Sequence, residues 1–110
     1  MIHIRFDRND NGEIASFEMS GHAESGPYGF DLVCAGASAV SFGTVNAVYE
    51  LTGTKLELDM EGEGGWLAAR VPEGTAEAVY DQVQLLLEGL LVSFLTMEEQ
   101  YGEFIQVKST

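Results

Sequence analysis

The chain has 110 residues and a hydrophobic fraction of 45%, which is enough to bury an ordinary core in one domain spanning residues 1–110. Its formal net charge of −13 argues against nucleic acid and anionic membranes as partners, and it fits either a solubilising surface or a basic protein partner. The single cysteine excludes an intrachain disulfide, and the start of the chain lacks the basic and apolar regions of a signal peptide. Polar residues interrupt the apolar stretch 83–97, which reads as too short and too polar to span a bilayer. We therefore expect a reduced, cytoplasmic protein.

Two strands are predicted at the beginning of the chain. Apolar and polar residues alternate with the period of a half-buried strand at Ile2, Ile4 and Phe6. Residues 9–12, Asn-Asp-Asn-Gly, are a strong turn signal, so a hairpin should lead into a second strand over 13–20. The apolar face predicted for that strand is formed by Ala15, Phe17 and Met19.

A long helix is predicted over residues 32–51. Asp31 is a suitable N-cap, and Gly53 suits the left-handed position that follows a helix. The helix-spaced apolar residues that should be buried are Val33, Ala37, Val40, Val45, Val48 and Leu51.

The second half of the chain predicts strands over 55–60 and 66–71, joined by a glycine-rich turn over 61–65. The longest helix follows over 75–100, with Thr75 as its cap, and a last strand covers 103–107. The apolar stripe of that helix is formed by Val79, Val83, Leu86, Leu87, Leu90, Leu91 and Phe94.

The order ββαββαβ favours an α+β two-layer sandwich, in which one mixed sheet carries both helices on one face. Every predicted apolar stripe is buried in that arrangement. The other face of the sheet stays open to water or to a second copy of the chain.

Two possible metal sites can be compared with simpler interpretations. The segment 7–18 fits the spacing of an EF-hand calcium loop, through Asp7, Asn9, Asn11, Gly12, Ile14 and Glu18. An EF-hand needs a helix on each side, and none is predicted here, so an acidic hairpin turn explains the same residues. His3 reads as a surface residue, and together with His22 and one cysteine it makes no recognisable zinc pattern. We expect no metal and no cofactor.

A catalytic interpretation is possible at Cys34. With Asp31 as the cap, Cys34 falls in the first turn of a helix, where backbone N–H groups and the helix dipole favour a thiolate. The N–H groups of Cys34 and Ala35 could hold the oxyanion of an acyl intermediate. His22 follows the preceding strand and could serve as the base if the loop folds it over the thiol. The simpler alternative is a small buried core cysteine.

Two further features favour catalysis. The loop between His22 and Cys34 contains the backbone-directing residues Gly26, Pro27 and Gly29 and the aromatic residues Tyr28 and Phe30, a composition that suits a lid over a substrate. The helix after Cys34 is unusually small in its side chains, and Gly36 should cost it about 1 kcal/mol relative to Ala. Close approach of another backbone or tight helix–sheet packing would explain that glycine.

These residues resemble a known family. The residues that carry the likeness are Gly21, His22, Ala23, Gly26, Tyr28, Gly29, Asp31, Val33, Cys34, Ala35, Ser38 and Ala39. The pattern is similar to that of the bacterial ribosomal-processing cysteine proteases, the Prp family, and the likeness covers nearly the whole chain. The family usually has Ala and a larger aliphatic residue where this chain has Gly36 and Ala37, which changes the wall of the pocket.

The resemblance implies a His22–Cys34 catalytic pair, supported by Asp31 and Ser38, under an active-site loop that includes Gly21, Gly26, Tyr28, Gly29 and Phe30. It also implies removal of a short N-terminal extension from a large-subunit ribosomal protein, by a cut after an aromatic pair. Some phage capsid and scaffold proteins carry a similar cleavage site. Family members form homodimers, and a basic ribosomal substrate would suit the acidic chain.

Asp31 has two possible roles: it could cap the helix and hold the turn of the nucleophile, or it could orient His22. Two other functions also stay open for the chain. One is a non-catalytic, acidic ribosome-assembly or protein-binding module that holds a basic ribosomal protein. The other is a thiol-dependent hydrolase of small acyl substrates, against which the large loop with Tyr28 and Phe30 favours a peptide.

Overall fold

The computed structural model describes residues 1–21, 31–60 and 66–110. In those ranges the chain runs ββαββαβ, as predicted, and every element begins and ends within about two residues of its predicted position. The elements are β1 (Ile2–Arg8), β2 (Ile14–Ser20), α1 (Leu32–Thr52), β3 (Glu57–Met60), β4 (Trp66–Arg70), α2 (Glu77–Tyr101) and β5 (Ile105–Ser109). The predicted turn over 61–65 lies outside the described residues.

The strands form one mixed sheet in the order β3-β4-β2-β1-β5. Strands β1 and β5 are parallel, and the other neighbouring pairs are antiparallel. The helices pack on one face of this sheet, where the core lies, so the predicted two-layer α+β sandwich is confirmed. At the centre of the core the ring of Phe6 stacks on Phe17 at 5.6 Å between centroids and meets the edge of Phe94 at 6.2 Å.

The apolar face of β2 differs from its prediction. Ile14 is fully buried beside Phe17, whereas Ala15 is only half-buried. The reason is a bulge in the hairpin: Asp7 pairs with Ser16, but the next residue of β1 pairs with Ile14. The extra residue turns Ile14 onto the core side. The side-chain amide of Gln84 completes the arrangement by bonding both the N–H and the carbonyl of Ile14 at 2.8 Å.

Helix α1 buries most of its predicted stripe, and Gly53 follows it in the left-handed conformation at φ +76°. Leu51 was wrongly placed in that stripe, because it is 72% exposed at the end of the helix. The predicted cap of α2 is also wrong. Its N-cap is Ala76, which makes no side-chain cap bond, while the hydroxyl of Thr75 donates to the carbonyl of Pro72 at 2.7 Å.

By length and composition alone, both helices would pass as membrane spans. This corrects the expectation that segment 83–97 is too short and too polar, since α2 continues that segment to 25 residues. Each helix packs one face on the sheet, as the core helices of a sandwich do. Only 28% of the most apolar window of each helix is buried, so much of its apolar surface faces outward.

Candidate active site

The beginning of α1 lies at the same end of the sandwich as the end of β2. The short link 53–56 holds the end of α1 at the end of the sheet where Glu57 pairs with Arg70. The opposite end of the sheet carries Ser20, which pairs with Trp66. The chain therefore leaves the sheet at Gly21 and starts α1 on that same side, as the catalytic interpretation requires.

Gly21 fixes the exit of the chain from β2. Its φ is +85°, a conformation that favours glycine, and a Cβ atom there would collide with the carbonyl oxygen of Met1. Any side chain at this position would push the loop start away from the N-terminal residue. The glycine is thus required by a close backbone approach at the start of the predicted active-site loop.

Asp31 caps α1, as predicted from the sequence. Its backbone is extended at φ −79° and ψ 93°, and its Oδ1 accepts a hydrogen bond from the N–H of Cys34 at 3.0 Å. The carbonyl of Asp31 also accepts the N–H of Ala35 at 3.0 Å. Both N–H groups suggested for an oxyanion hole are therefore engaged by Asp31. In this conformation neither N–H group is available to an oxyanion. This corrects the expectation that the two groups form an oxyanion hole.

Cys34, the single cysteine of the chain, lies in the first turn of α1, half-buried at the margin of the core. Cys34 therefore has features of both interpretations. It packs against apolar neighbours as a core cysteine does, yet part of its surface is accessible, as a nucleophile requires. Ser38 lies one turn further along the same side of the helix and is exposed. The carbonyl of Ser38 accepts the hydroxyl of Ser41 at 3.2 Å, and Ser41 is fully buried.

Of the small residues after Cys34, Gly36 faces the other helix, whereas Ala35, Ser38 and Ala39 are exposed. A Cβ atom at Gly36 would lie 3.4 Å from the Cε of Met97, near the end of α2. The two helices thus run antiparallel, and the start of α1 rests on the end of α2. Among the described residues this neighbour is a side chain of α2, so neither expected explanation, a close backbone or packing on the sheet, accounts for Gly36.

Five of the predicted site residues lie outside the described residues: His22, Gly26, Tyr28, Gly29 and Phe30. The pairing of His22 with Cys34 therefore stays a prediction. What the structure brings together is the capped first turn of α1, with Asp31, Cys34 and Ser38, and the exit of β2 at Gly21.

The EF-hand-like residues form the predicted hairpin turn. Oδ1 of Asn9 accepts the N–H groups of Asn11 at 2.9 Å and of Glu13 at 3.0 Å, and Asp7 pairs with Arg5 at 3.0 Å. His3 is exposed on the polar side of β1. Within the described part of the chain, no group of three His, Cys, Asp or Glu side chains could hold a metal ion.

Sequence reasoning missed a groove between α1 and β3. Its volume is about 330 Å³, and it is lined by Val45, Asn46, Tyr49, Lys55, Leu56 and Leu58. A signal for it was present, because Val45 and Tyr49 fall on the same stripe of α1 as Cys34 at helical spacing.

Comparison with known proteins decides the family. Residues 1–106 match the family model described as cysteine protease Prp. The chain belongs to the Prp cysteine protease family. It is 41% identical over 107 residues to the ribosomal processing cysteine protease Prp of Staphylococcus aureus, covering 97% of each chain. It is 42% identical to the Prp of Bacillus subtilis, covering 97% of this chain and 96% of the other.

Solved Prp structures share the fold. The S. aureus protease in complex with a covalently linked product peptide superposes with a TM-score of 0.90 at 39% identity, covering all of both chains. The same protease in complex with a substrate peptide gives a TM-score of 0.84. The family and its members identify the present chain as a cysteine protease.

Proposed function

We propose that the chain is a cysteine endopeptidase that removes a short N-terminal extension from a large-subunit ribosomal protein, cutting after aromatic residues. The observation that carries this proposal is the half-buried Cys34 in the capped first turn of α1, in a chain of the Prp family. The relatives are named ribosomal processing proteases, and one was solved with a substrate peptide. The charge of −13 suits a basic ribosomal protein in the cytoplasm.

The proposed mechanism uses a His22–Cys34 dyad. The Cys34 thiolate attacks the scissile carbonyl carbon and forms a C–S bond. As the tetrahedral intermediate collapses, the C–N bond breaks, and protonated His22 gives its proton to the leaving amine. The N-terminal segment is left as a thioester on Cys34. Water, deprotonated by His22, then hydrolyses that thioester and returns the free thiol and the carboxylic acid.

Oxyanion stabilisation in this mechanism requires a change at Asp31. The carboxylate of Asp31 holds the N–H of Cys34 in the free chain. If substrate binding drew Asp31 away, that N–H would become available to the developing oxyanion, and Asp31 could orient His22. Capping would then belong to the resting state and orientation to the bound state.

The experiment that tests the proposal is incubation of an extended large-subunit ribosomal protein with the wild-type chain and with Cys34→Ala, read by intact mass. We expect the wild type to release the extension and Cys34→Ala to release none while keeping its melting temperature. A non-catalytic binding module predicts that no extension is removed by either chain and that both bind the ribosomal protein equally. A phage capsid or scaffold protein with a similar site serves as a second substrate.

We also propose that the chain forms a homodimer. The open face of the sheet carries charged side chains such as Arg5 and Glu18, whereas the outer face of the helix layer is apolar. That face also carries polar side chains, and its exposed apolar side chains include Leu85 at 74% and Val92 at 61%. A second copy would cover these two side chains more favourably than the sheet face first expected to be covered. Light scattering should show a dimer that the Leu85→Lys, Val92→Lys double variant converts to monomer and Glu18→Lys does not.

A further inference from the structure

We infer that the groove between α1 and β3 is a specificity subsite that receives an apolar side chain on the N-terminal side of the scissile bond. This inference rests on the proposed peptidase function. It identifies the residues that recognise the substrate, and these residues lie at a distance from Cys34.

The groove lies further along the same stripe of α1 as the nucleophile. At 3.6 residues per turn, Cys34, Ser38, Val45 and Tyr49 fall within an arc of about 60° on the side of the helix that faces β3. Beyond Ser38 this stripe becomes apolar. Tyr49 is 53% exposed there, although one edge of the helix packs on the core.

The opposite wall of the groove is β3, which lies at the edge of the sheet. Leu58 pairs with the buried Ala69, so its side chain lies on the helix side, and it is still 42% exposed. The floor is the buried Leu56. The cavity of about 330 Å³ is large enough for one bulky side chain, and its lining is mostly apolar, with Asn46 and Lys55 as its polar members.

An extended peptide fits this location in both backbone and charge. Among the described strands, β3 pairs with β4 alone, so its other edge can accept a peptide as an added strand. Alternate side chains of such a peptide would enter the groove. Those between them would face the side of β3 that carries Asp59, where a basic or polar side chain is favoured.

The distance from Cys34 to the groove along α1 determines which residue of the substrate the groove binds. Cys34 and Val45 are separated by about 16 Å at 1.5 Å per residue. An extended peptide covers that distance in about five residues at 3.3 Å each. We assign the groove to the N-terminal half of the substrate, because that half stays bound to Cys34 as the thioester until water releases it. The groove should therefore read an apolar residue about four to six positions before the cut.

The test compares a Tyr49→Ala, Leu58→Ala double variant with a control double variant, Leu51→Ala, Tyr101→Ala. The control removes a leucine that is 72% exposed and a tyrosine that is 45% exposed, both outside the groove and outside the proposed dimer contact. Each protein is given a peptide with eight residues before the cut and the same peptide shortened to three. We expect the groove variant to lose about tenfold in kcat/KM on the long peptide and nothing on the short one, while the control keeps both rates.

Replacing the apolar peptide residues four to six positions before the cut with Ser should cost the wild type the same factor and cost the groove variant little more. Equal kcat/KM for the wild type and the groove variant on the long peptide would overturn the subsite and leave the protease intact. So would an equal loss on the short peptide. If wild type cleaved neither peptide, the proposed function would fall, and the subsite with it.

Discussion

The two helices of this protein begin in different ways. Helix α1 starts with Asp31, whose carboxylate accepts the N–H of Cys34 at 3.0 Å. Helix α2 starts with Ala76, in the extended conformation of a cap but with no side-chain bond. The uncapped start belongs to the longer helix, which is anchored by five buried residues. A side-chain cap is therefore not needed for helix formation in this fold. The cap at Asp31 instead fixes the turn that holds the cysteine.

The largest expected effect comes from removing the proposed base, His22. His22→Ala should lower kcat/KM by at least about a thousandfold, because general acid–base catalysis and thiolate formation are lost together. The measurement is the initial rate of peptide cleavage at pH 7. A variant that retained a tenth of wild-type activity would show that Cys34 works without His22.

Replacing the cap of α1 should separate its two roles. Asp31→Ala should lower the free energy of unfolding by about 1 kcal/mol, whereas Asp31→Asn should lower it by a few tenths, because Asn also caps helices well. Urea denaturation measures both. If Asp31 also orients His22, Asn should still lower kcat by tenfold or more, since an amide does not stabilise an imidazolium as a carboxylate does. Full activity in both variants would leave Asp31 with no catalytic part.

The contact between the start of α1 and the end of α2 should tolerate a methyl group. Gly36→Ala should raise the free energy of unfolding by about 0.5–1 kcal/mol, because alanine favours helix and the new Cβ would lie 3.4 Å from the mobile end of Met97. Denaturation by urea reports the change. A loss of stability would mean that Met97 cannot yield and that the small face of α1 is required for packing.

The smallest effect is expected where a cap is added. Ala76→Ser should raise the free energy of unfolding by about 0.5 kcal/mol, because Ala76 already has the extended conformation of an N-cap at φ −61° and ψ 137°. Cleavage should be unchanged, since this helix start carries no site residue. Altered cleavage in Ala76→Ser would show that the two helix starts are coupled.

Local patterns were enough to predict the strands, the helices and the Asp31 cap, because alternation and capping depend on residues close in sequence. They failed where distant residues decide. Ile14 is turned inward by a bulge and held by Gln84, seventy positions away. Thr75 was chosen as a cap by its chemistry, yet its hydroxyl bonds Pro72.

The candidate site divides in the same way. Cys34 and Asp31 were located by the chemistry of a helix start, which a short sequence window contains. The groove at Tyr49 and Leu58 was missed, because it exists only once β3 folds beside α1. The exposure of the apolar residues on the outer side of the helices could not be predicted either. Apolar spacing does not tell which residues a single chain leaves exposed.

The most direct test of the central claim is to trap the intermediate. Wild-type protein is mixed with a peptide substrate, quenched in acid within milliseconds to seconds, and examined by intact mass followed by peptide mapping. We predict an adduct on Cys34 whose added mass equals that of the N-terminal product acid less one water. No adduct is expected in Cys34→Ala. Cleavage that persists in Cys34→Ala with no adduct in either protein would contradict the assignment of Cys34 as the nucleophile.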